Sequence, residues 1–310
     1  MVNIRPQDFS QYVGQSDIMP VIHNAIRLAK EGTRLFPPTL LYGGPGLGKT
    51  SLVGCIGKEI GLKVMSYVGS KDLTGVTMKR DLLNLDVRGY TANGIWQPGA
   101  IKYLIFIDEI HAAHSSIFDQ LLTPIENLEL TDASGNLYWL ADISFIFATT
   151  EPATLMRICR PFMDRLTLQL HLTPYREEEL CQIVARLHPR MNADVVADIA
   201  RRSCGVARHA VNYSQAVEDY PGGLSWFAIM GIDEFGLTES HRKYLKVLED
   251  AGGRAVSLSG LASVLRELPS VVMLWEEELI RQDRILVTPH GRLLADRGMS
   301  GRSGAKGHEG

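Results

Sequence analysis

Two periods of hydrophobic and polar positions alternate along the first half of the chain. Short apolar runs have the length and composition of buried strands. They lie at residues 39–42, 63–68, 103–107, 144–150 and 166–172. Between them, apolar residues recur three and four positions apart, as in amphipathic helices, over about 17–31, 51–60 and 115–128. Strands that alternate with helices predict an α/β domain whose parallel sheet carries helices on both faces.

The second half of the chain is dominated by helical periodicity. Over 173–220 the pattern is helical and is interrupted at Pro189 and Gly205, which predicts three short helices. From residue 237 it restarts as three helices followed by a hairpin over 285–294, the element order of a winged helix. The predicted domains are therefore 1–171, 172–236 and 237–297, followed by a Gly/Ser-rich disordered tail over 298–310.

Composition narrows the class of protein. Of the 310 residues, 45% are hydrophobic and 22% charged, which is typical of a globular protein. No apolar run reaches the roughly 18 residues of a membrane span, so we expect no membrane segment. The four cysteines form no C-x-x-C pair, and we expect reduced thiols in a cytoplasmic protein. A net charge of −3 gives no global signal for nucleic acid, so DNA contacts would need local patches.

The first chemical motif follows the strand predicted at 39–42. Residues 43–50 match the P-loop pattern G-x-x-x-x-G-K-[ST] without a mismatch and lead into a predicted helix. Glycines allow backbone N–H groups to surround phosphate oxygens, and the helix N-terminus adds the positive end of its dipole. Lys49 can reach the β- and γ-phosphates, and the Thr50 hydroxyl can ligate Mg²⁺. The segment therefore predicts a nucleoside triphosphate site.

The second motif is a pair of carboxylates at the end of the strand predicted at 103–107. Asp108 at the tip of this strand would face a Mg²⁺ ion bound beside the P-loop. Glu109 would then be placed to polarise the attacking water as a general base. An apolar strand that ends in Asp-Glu becomes a specific signal only when a P-loop precedes it, as it does here.

Two further groups of side chains leave alternatives open. His111 and His114 follow the carboxylate pair, and we interpret them as polar residues near the γ-phosphate and the subunit interface, with metal ligation as the alternative. Aromatic residues in the loop 86–99 and the predicted hairpin 129–143 could stack on bases or anchor a partner, or pack locally. They are Tyr90, Trp96, Tyr138 and Trp139.

The order of these motifs resembles the RuvB family of AAA+ motors, which drive branch migration of Holliday junctions. The resemblance runs from Arg5 to about Arg297. It implies an AAA+ P-loop NTPase core, an all-helical lid domain and a C-terminal winged helix. The family's N-terminal motif, here Arg5-Pro6 and Tyr12-Val13-Gly14-Gln15, lines the adenine pocket. The implied nucleotide-binding residues are Arg5, Tyr12, Val13, Gly43, Gly46, Gly48, Lys49, Thr50, Ser51 and Arg208.

The resemblance also implies three catalytic positions outside the two motifs. Thr150, in Ala148-Thr149-Thr150, matches sensor 1. Arg165, after Asp164, matches the arginine finger that completes the neighbouring subunit's site. Arg208, in Gly205-Val206-Ala207-Arg208, matches sensor 2. The implied catalytic set is Lys49, Asp108, Glu109, Thr150, Arg165 and Arg208, with Mg²⁺ held by Thr50 and Asp108.

The implied function is that of an ATP-dependent DNA motor in recombination and repair. Its cofactors would be ATP and Mg²⁺, its DNA a four-way junction or duplex, and its assembly a ring, expected to be a hexamer. Met163 replaces the first of two arginines that the family carries before the finger, and Arg292 is the cation left in the wing for DNA. The hairpin 129–143, where the family docks RuvA, is shorter here, so a RuvA-like partner stays open. The alternative is an AAA+ remodeller of a protein partner, with the winged helix as an interaction module.

Overall fold

The computed structural model describes residues 4–32, 34–85, 102–140 and 142–295. The predicted loop 86–99, with Tyr90 and Trp96, and the predicted tail 298–310 lie outside these residues. The chain divides into two compact units, one of residues 1–187 and 206–211 and the other of residues 188–205 and 212–310. This division does not follow the predicted domain boundaries, which stay predictions.

The first unit is built on a sheet of five parallel strands in the order β2-β3-β6-β1-β7. The strands are β1 Thr39–Tyr42, β2 Lys63–Val68, β3 Tyr103–Asp108, β6 Ile143–Thr149 and β7 Leu168–His171. A separate antiparallel hairpin pairs β4 Glu129–Thr131 with β5 Leu137–Trp139. This sheet and the helices between its strands confirm the predicted α/β fold class.

The helices of the first unit precede, connect and follow the strands of the sheet. They are α1 Met19–Lys30, α2 Lys49–Ile60, α3 Gly75–Leu83, α4 Ser116–Asn127, α5 Pro152–Ile158, α6 Arg160–Asp164 and α7 Glu177–Leu187. Alternate residues of a strand point to opposite faces of its sheet. Ile105 and Ile107 share a buried cluster with Phe118 of α4, whereas Leu104 approaches Gly57 of α2. The two helices therefore cover opposite faces, as predicted.

The hairpin aromatics differ in their surroundings. The Tyr138 hydroxyl donates a hydrogen bond of 3.2 Å to Asp132 of the hairpin turn, and the ring packs on the sheet's core cluster. Local packing thus accounts for Tyr138. Trp139, at the end of β5, is 39% exposed.

The second unit contains the remaining helices and a two-stranded sheet. The helices are α8 Ala193–Arg202, α10 Ser225–Ile229, α11 Glu239–Asp250, α12 Leu258–Leu265 and α13 Pro269–Arg281, with most of α9 Ala207–Asp219. The strands β8 Ile285–Thr288 and β9 Gly291–Leu294 form an antiparallel hairpin. Three helices followed by this hairpin confirm the predicted winged helix.

The winged helix has its own core and an unusually apolar pair of helices. Its buried residues are Leu237, Tyr244, Leu248, Leu261, Ala262, Val272, Leu279 and Ile285.

In the described part of the chain no single helix is long and apolar enough to cross a bilayer. Among the residues that the structure describes, one bent pair, α12 with α13, meets that test of length and composition, with a bend of 105° between the two helices.

Candidate functional site

The P-loop turns between the end of β1 and the start of α2. Gly43, Gly46 and Gly48 have φ angles of 144°, 77° and 91°, in the region that only glycine adopts without strain. Their lack of a side chain is also needed for space. A Cβ on Gly46 would lie 2.7 Å from a Val206 methyl, and one on Gly48 would lie 2.8 Å from the Tyr175 hydroxyl. The loop is therefore a cradle whose backbone amides can approach an anion closely.

Lys49 opens α2 and is buried against the loop. Its ammonium donates to the carbonyls of Gly43 at 2.8 Å and Gly44 at 3.0 Å. Burial lowers the pKa of the Lys49 ammonium, while the Glu109 and Asp108 carboxylates oppose this shift. The structure thus brings the predicted phosphate-binding cation close to both predicted carboxylates. Ser51, another predicted nucleotide contact, is half-buried in the same turn of helix.

Thr50 and Asp108 meet although they lie 58 positions apart. The Thr50 hydroxyl donates to Asp108 Oδ2 at 3.0 Å, and Asp108 Oδ1 accepts from the Glu109 amide at 3.1 Å. A hydroxyl and a carboxylate at this separation are hard oxygen ligands of the kind that Mg²⁺ prefers. These two residues therefore fit a Mg²⁺ ion that also binds phosphate.

Glu109 is held by the end of the neighbouring strand. Its carboxylate Oε2 accepts from both the backbone amide and the hydroxyl of Thr150, each at 2.9 Å. Because β3 and β6 are adjacent and parallel, their carboxyl ends deliver these two residues to one place. The Glu109 backbone has a φ of 48°, which is uncommon outside glycine. The predicted base and the predicted sensor are thus in direct contact.

At least one residue of the N-terminal motif, Tyr12, lies beside the P-loop. The Tyr12 hydroxyl lies 3.4 Å from a Cβ placed on Gly48, and burial raises the pKa of the Tyr12 hydroxyl well above its ordinary value. Val13 is half-buried and Arg5 is exposed. A role for Arg5 and Val13 in an adenine pocket stays a prediction.

The two arginines implied by the resemblance have different surroundings. The Arg208 backbone amide donates to the Gly46 carbonyl at 3.2 Å, and the Arg208 charge contributes to the lowered pKa of Lys49. Arg165 instead pairs with Glu126 at 2.6 Å, and its side chain is 31% exposed. Met163, in place of a second arginine, is a buried residue of the sheet's core. Arg208 therefore belongs to the P-loop surroundings, and the trans role of Arg165 stays a prediction.

The Arg292 side chain is paired inside the winged helix, and its predicted DNA contact stays a prediction. Its guanidinium donates to both carboxylate oxygens of Glu276, at 2.9 and 3.1 Å, with side-chain exposures of only 16% and 6%. The Tyr244 hydroxyl donates to the same carboxylate at 2.9 Å. A bidentate pair with a buried carboxylate satisfies the guanidinium inside the winged helix. Arg292 therefore joins β9 to α13.

Three residues near these groups carry no signal in the sequence. The Tyr175 hydroxyl donates to the Leu47 carbonyl at 3.2 Å and so packs against the P-loop. A Cβ on Gly69 would lie 2.0 Å from the Glu109 carbonyl, so glycine is required beside the base. Glu126 orients Arg165. Each depends on a contact between segments that are distant along the chain, and no local spacing indicates it.

Comparison with known proteins agrees with this geometry. Residues 4–172 match the family model of the Holliday junction DNA helicase RuvB P-loop domain, and residues 234–301 match the RuvB C-terminal winged helix domain. A RuvB subunit of the Holliday junction branch migration complex from Trichormus variabilis is 30% identical, over 94% of this chain and 81% of its own length. The corresponding protein from a Wolbachia species of Drosophila simulans is 28% identical, over 95% of this chain and 93% of its own length.

Solved structures show the same relation. The Thermotoga maritima RuvB Holliday junction branch migration motor superposes with a TM-score of 0.74 at 25% identity, covering 94% of this chain and 95% of its own. The Aeropyrum pernix ORC2 protein, at 16% identity and a TM-score of 0.55, shares the fold alone. With two RuvB family models matched at the P-loop and winged-helix ends of the chain, this protein belongs to the RuvB family and is an ATPase that drives branch migration in recombination and repair.

Proposed function

We propose that the P-loop site binds ATP with Mg²⁺ and that each motif residue has a separate role. The loop amides and Lys49 would hold the phosphates, and Thr50 with Asp108 would hold Mg²⁺, which supplies charge neutralisation when bound. The observation that carries the proposal is the contact of Thr50 with Asp108 at 3.0 Å, beside a buried lysine.

In this proposal Glu109 is the general base and Arg208 is a cation over the nucleotide. Thr150 binds one carboxylate oxygen of Glu109 through two donors, which orients the other oxygen for proton transfer from water. Two observations support the role of Arg208: its backbone amide donates to the Gly46 carbonyl, and its charge helps to lower the pKa of the Lys49 ammonium.

We also propose that the protein acts as a ring, expected to be a hexamer, with Arg165 reaching the site of the adjacent subunit. Its partly exposed side chain and the orienting Glu126 carboxylate support this role. The β4–β5 hairpin is proposed as the surface for a RuvA-like partner, where Trp139 is exposed. The cytoplasm is the proposed compartment, because ATP and a DNA substrate are found there.

We propose further DNA contacts of the winged helix besides Arg292. Exposed cations that could meet phosphate are Lys246, Arg254 and Arg266. Arg281 is paired with Glu278, and the Arg284 guanidinium lies 4.9 Å from the centre of the Phe235 ring. The α13 surface is instead apolar, which favours a second candidate role for this domain as a protein-interaction module. An AAA+ remodeller built on the same core is the corresponding second candidate function.

The first experiment measures the ATPase rate alone and with a four-way junction, duplex or single strand, across protein concentration and salt. We expect stimulation by junction or duplex that rises with protein concentration and disappears at high salt. Glu109→Gln should lower kcat by about 100-fold or more, since a general base contributes about 10²–10⁴. Lys49→Ala should abolish turnover, whereas Lys58→Ala, on the exposed side of the same helix, should not. A basal rate indifferent to every DNA would favour the protein remodeller.

A further inference from the structure

His111 occupies the space between the ends of β3 and β6. It lies in a short 3₁₀ turn, Ile110–Ala112, directly after the carboxylate pair, and its side chain is only 15% exposed. Its Nδ1 is 2.9 Å from the Thr149 hydroxyl and 3.3 Å from Glu109 Oε2. Its Nε2 is 3.5 Å from Glu151 Oε1. The ring therefore touches the proposed base on one side and a second carboxylate on the other.

The neighbours of His111 fix the plane of its ring. Thr149 is fully buried, and its hydroxyl accepts from the Glu151 amide at 3.0 Å, so that oxygen has little freedom to move. Both ring nitrogens thus have a polar neighbour at a defined position. A ring that is held at both nitrogens can restrain a further side chain that packs against it.

Glu109 gains from such a restraint because its contacts are one-sided. Both Thr150 donors and His111 Nδ1 lie against Oε2, and among the described residues no hydrogen bond to Oε1 accompanies them. Rotation about the last bond of the Glu109 side chain moves both carboxylate oxygens together, so every group placed against Oε2 also limits where Oε1 points. The His111 ring is the group that lies beside it.

We infer that His111 is a positioning residue for Glu109, restrained by Thr149 and Glu151, and that it keeps Oε1 available to accept a proton from water. This rests on the proposed role of Glu109 as the base. His111 acts through Glu109, so its removal should change turnover without changing nucleotide affinity. Glu151, with 56% of its side chain exposed, acts one step further away and should have a smaller effect.

The test compares His111→Ala with His111→Asn in steady-state ATP hydrolysis by the full chain with junction DNA. An asparagine amide can reproduce a polar atom near the position of Nδ1. We expect His111→Ala to lower kcat about tenfold, with KM for ATP changed less than about twofold, and His111→Asn to restore most of the rate. His23→Ala is the matched control, because His23 is exposed on α1 and its ring packs on Phe9 outside this cluster.

A double variant separates positioning from general stability. In a Glu109→Gln background, His111→Ala should lower the residual rate by less than about twofold, because the group it positions is already gone. An equal tenfold loss in both backgrounds, or an unchanged kcat for His111→Ala in Glu109-intact protein, would overturn the inference. If Glu109→Gln alone keeps its activity, the assignment of the base fails instead.

Discussion

At the scale of single residues, the Arg292 side chain links strand β9 to helix α13. Its bidentate pair with Glu276, joined by the Tyr244 hydroxyl, lies inside the winged helix. The side-chain hydrogen bond from Arg292 to Glu276 raises the pKa of the Arg292 guanidinium, and burial raises the pKa of the Tyr244 hydroxyl. Removing one member of a buried pair is costly, because the partner's charge is left without compensation. Arg292 is therefore a stability determinant of this domain.

Arg292→Ala should destabilise the winged helix by about 3 kcal/mol, the lower end of the cost of breaking a buried ion pair. The measurement is amide hydrogen exchange of the full chain, compared over residues 239–294. Exchange there should become faster, while the strands of the parallel sheet keep their protection. Arg254→Ala, at an exposed arginine of the same domain, is the control and should leave exchange unchanged. Normal protection in Arg292→Ala together with weakened junction binding would support the DNA-contact role instead.

Which site residues the sequence could predict depends on how local their contacts are. The P-loop is one continuous segment whose glycines, lysine and threonine act within eight positions, so its pattern predicts the cradle. The sensor role of Thr150 became an expectation only through the family resemblance, and its contact with Glu109 joins the ends of two strands that no local spacing connects. Tyr175 and Glu126 act through partners far along the chain, and Arg292 has the residue type of a DNA contact but a buried partner.

At the scale of secondary-structure elements, α13 has two different faces. Val272, Glu276 and Leu279 are buried, whereas the opposite face exposes Met273, Leu274, Glu277 and Ile280. A recognition helix normally presents donors and cations to bases and phosphates. Here the exposed face is apolar and acidic. The element order of a winged helix was predictable from periodicity, but this surface character follows only from which residues the core buries.

We predict that α13 contributes little to DNA affinity. Met273→Ala combined with Leu274→Ala should change junction affinity by less than about twofold, because neither side chain can pair with phosphate. Lys246→Ala combined with Arg254→Ala should weaken binding and reduce the salt slope by about 1 for each phosphate that is no longer neutralised. Affinities are measured by fluorescence anisotropy with a labelled junction over a salt series. A tenfold weakening by the α13 pair would show that this face enters the groove after all.

At the scale of the whole molecule, we propose that the ATP site becomes complete only between subunits. One chain supplies Lys49, Asp108 and Glu109 around its P-loop. Arg165 is held by Glu126 with part of its side chain exposed, as suits a residue that serves a neighbour. The sequence indicated this role of Arg165 through family resemblance alone, because residue spacing within one chain carries no information about contacts between two chains.

The most direct measurement mixes two inactive variants, Glu109→Gln and Arg165→Ala, and follows ATP hydrolysis with junction DNA. Each variant alone should be slower than the unmodified protein by about 100-fold or more. In mixed rings, an Arg165→Ala subunit keeps its Glu109 and can receive Arg165 from a Glu109→Gln neighbour, so activity should reappear and be greatest near equal proportions. A mixture no more active than the sum of its parts, with mixed rings demonstrated by two fluorescent labels, would contradict the shared site.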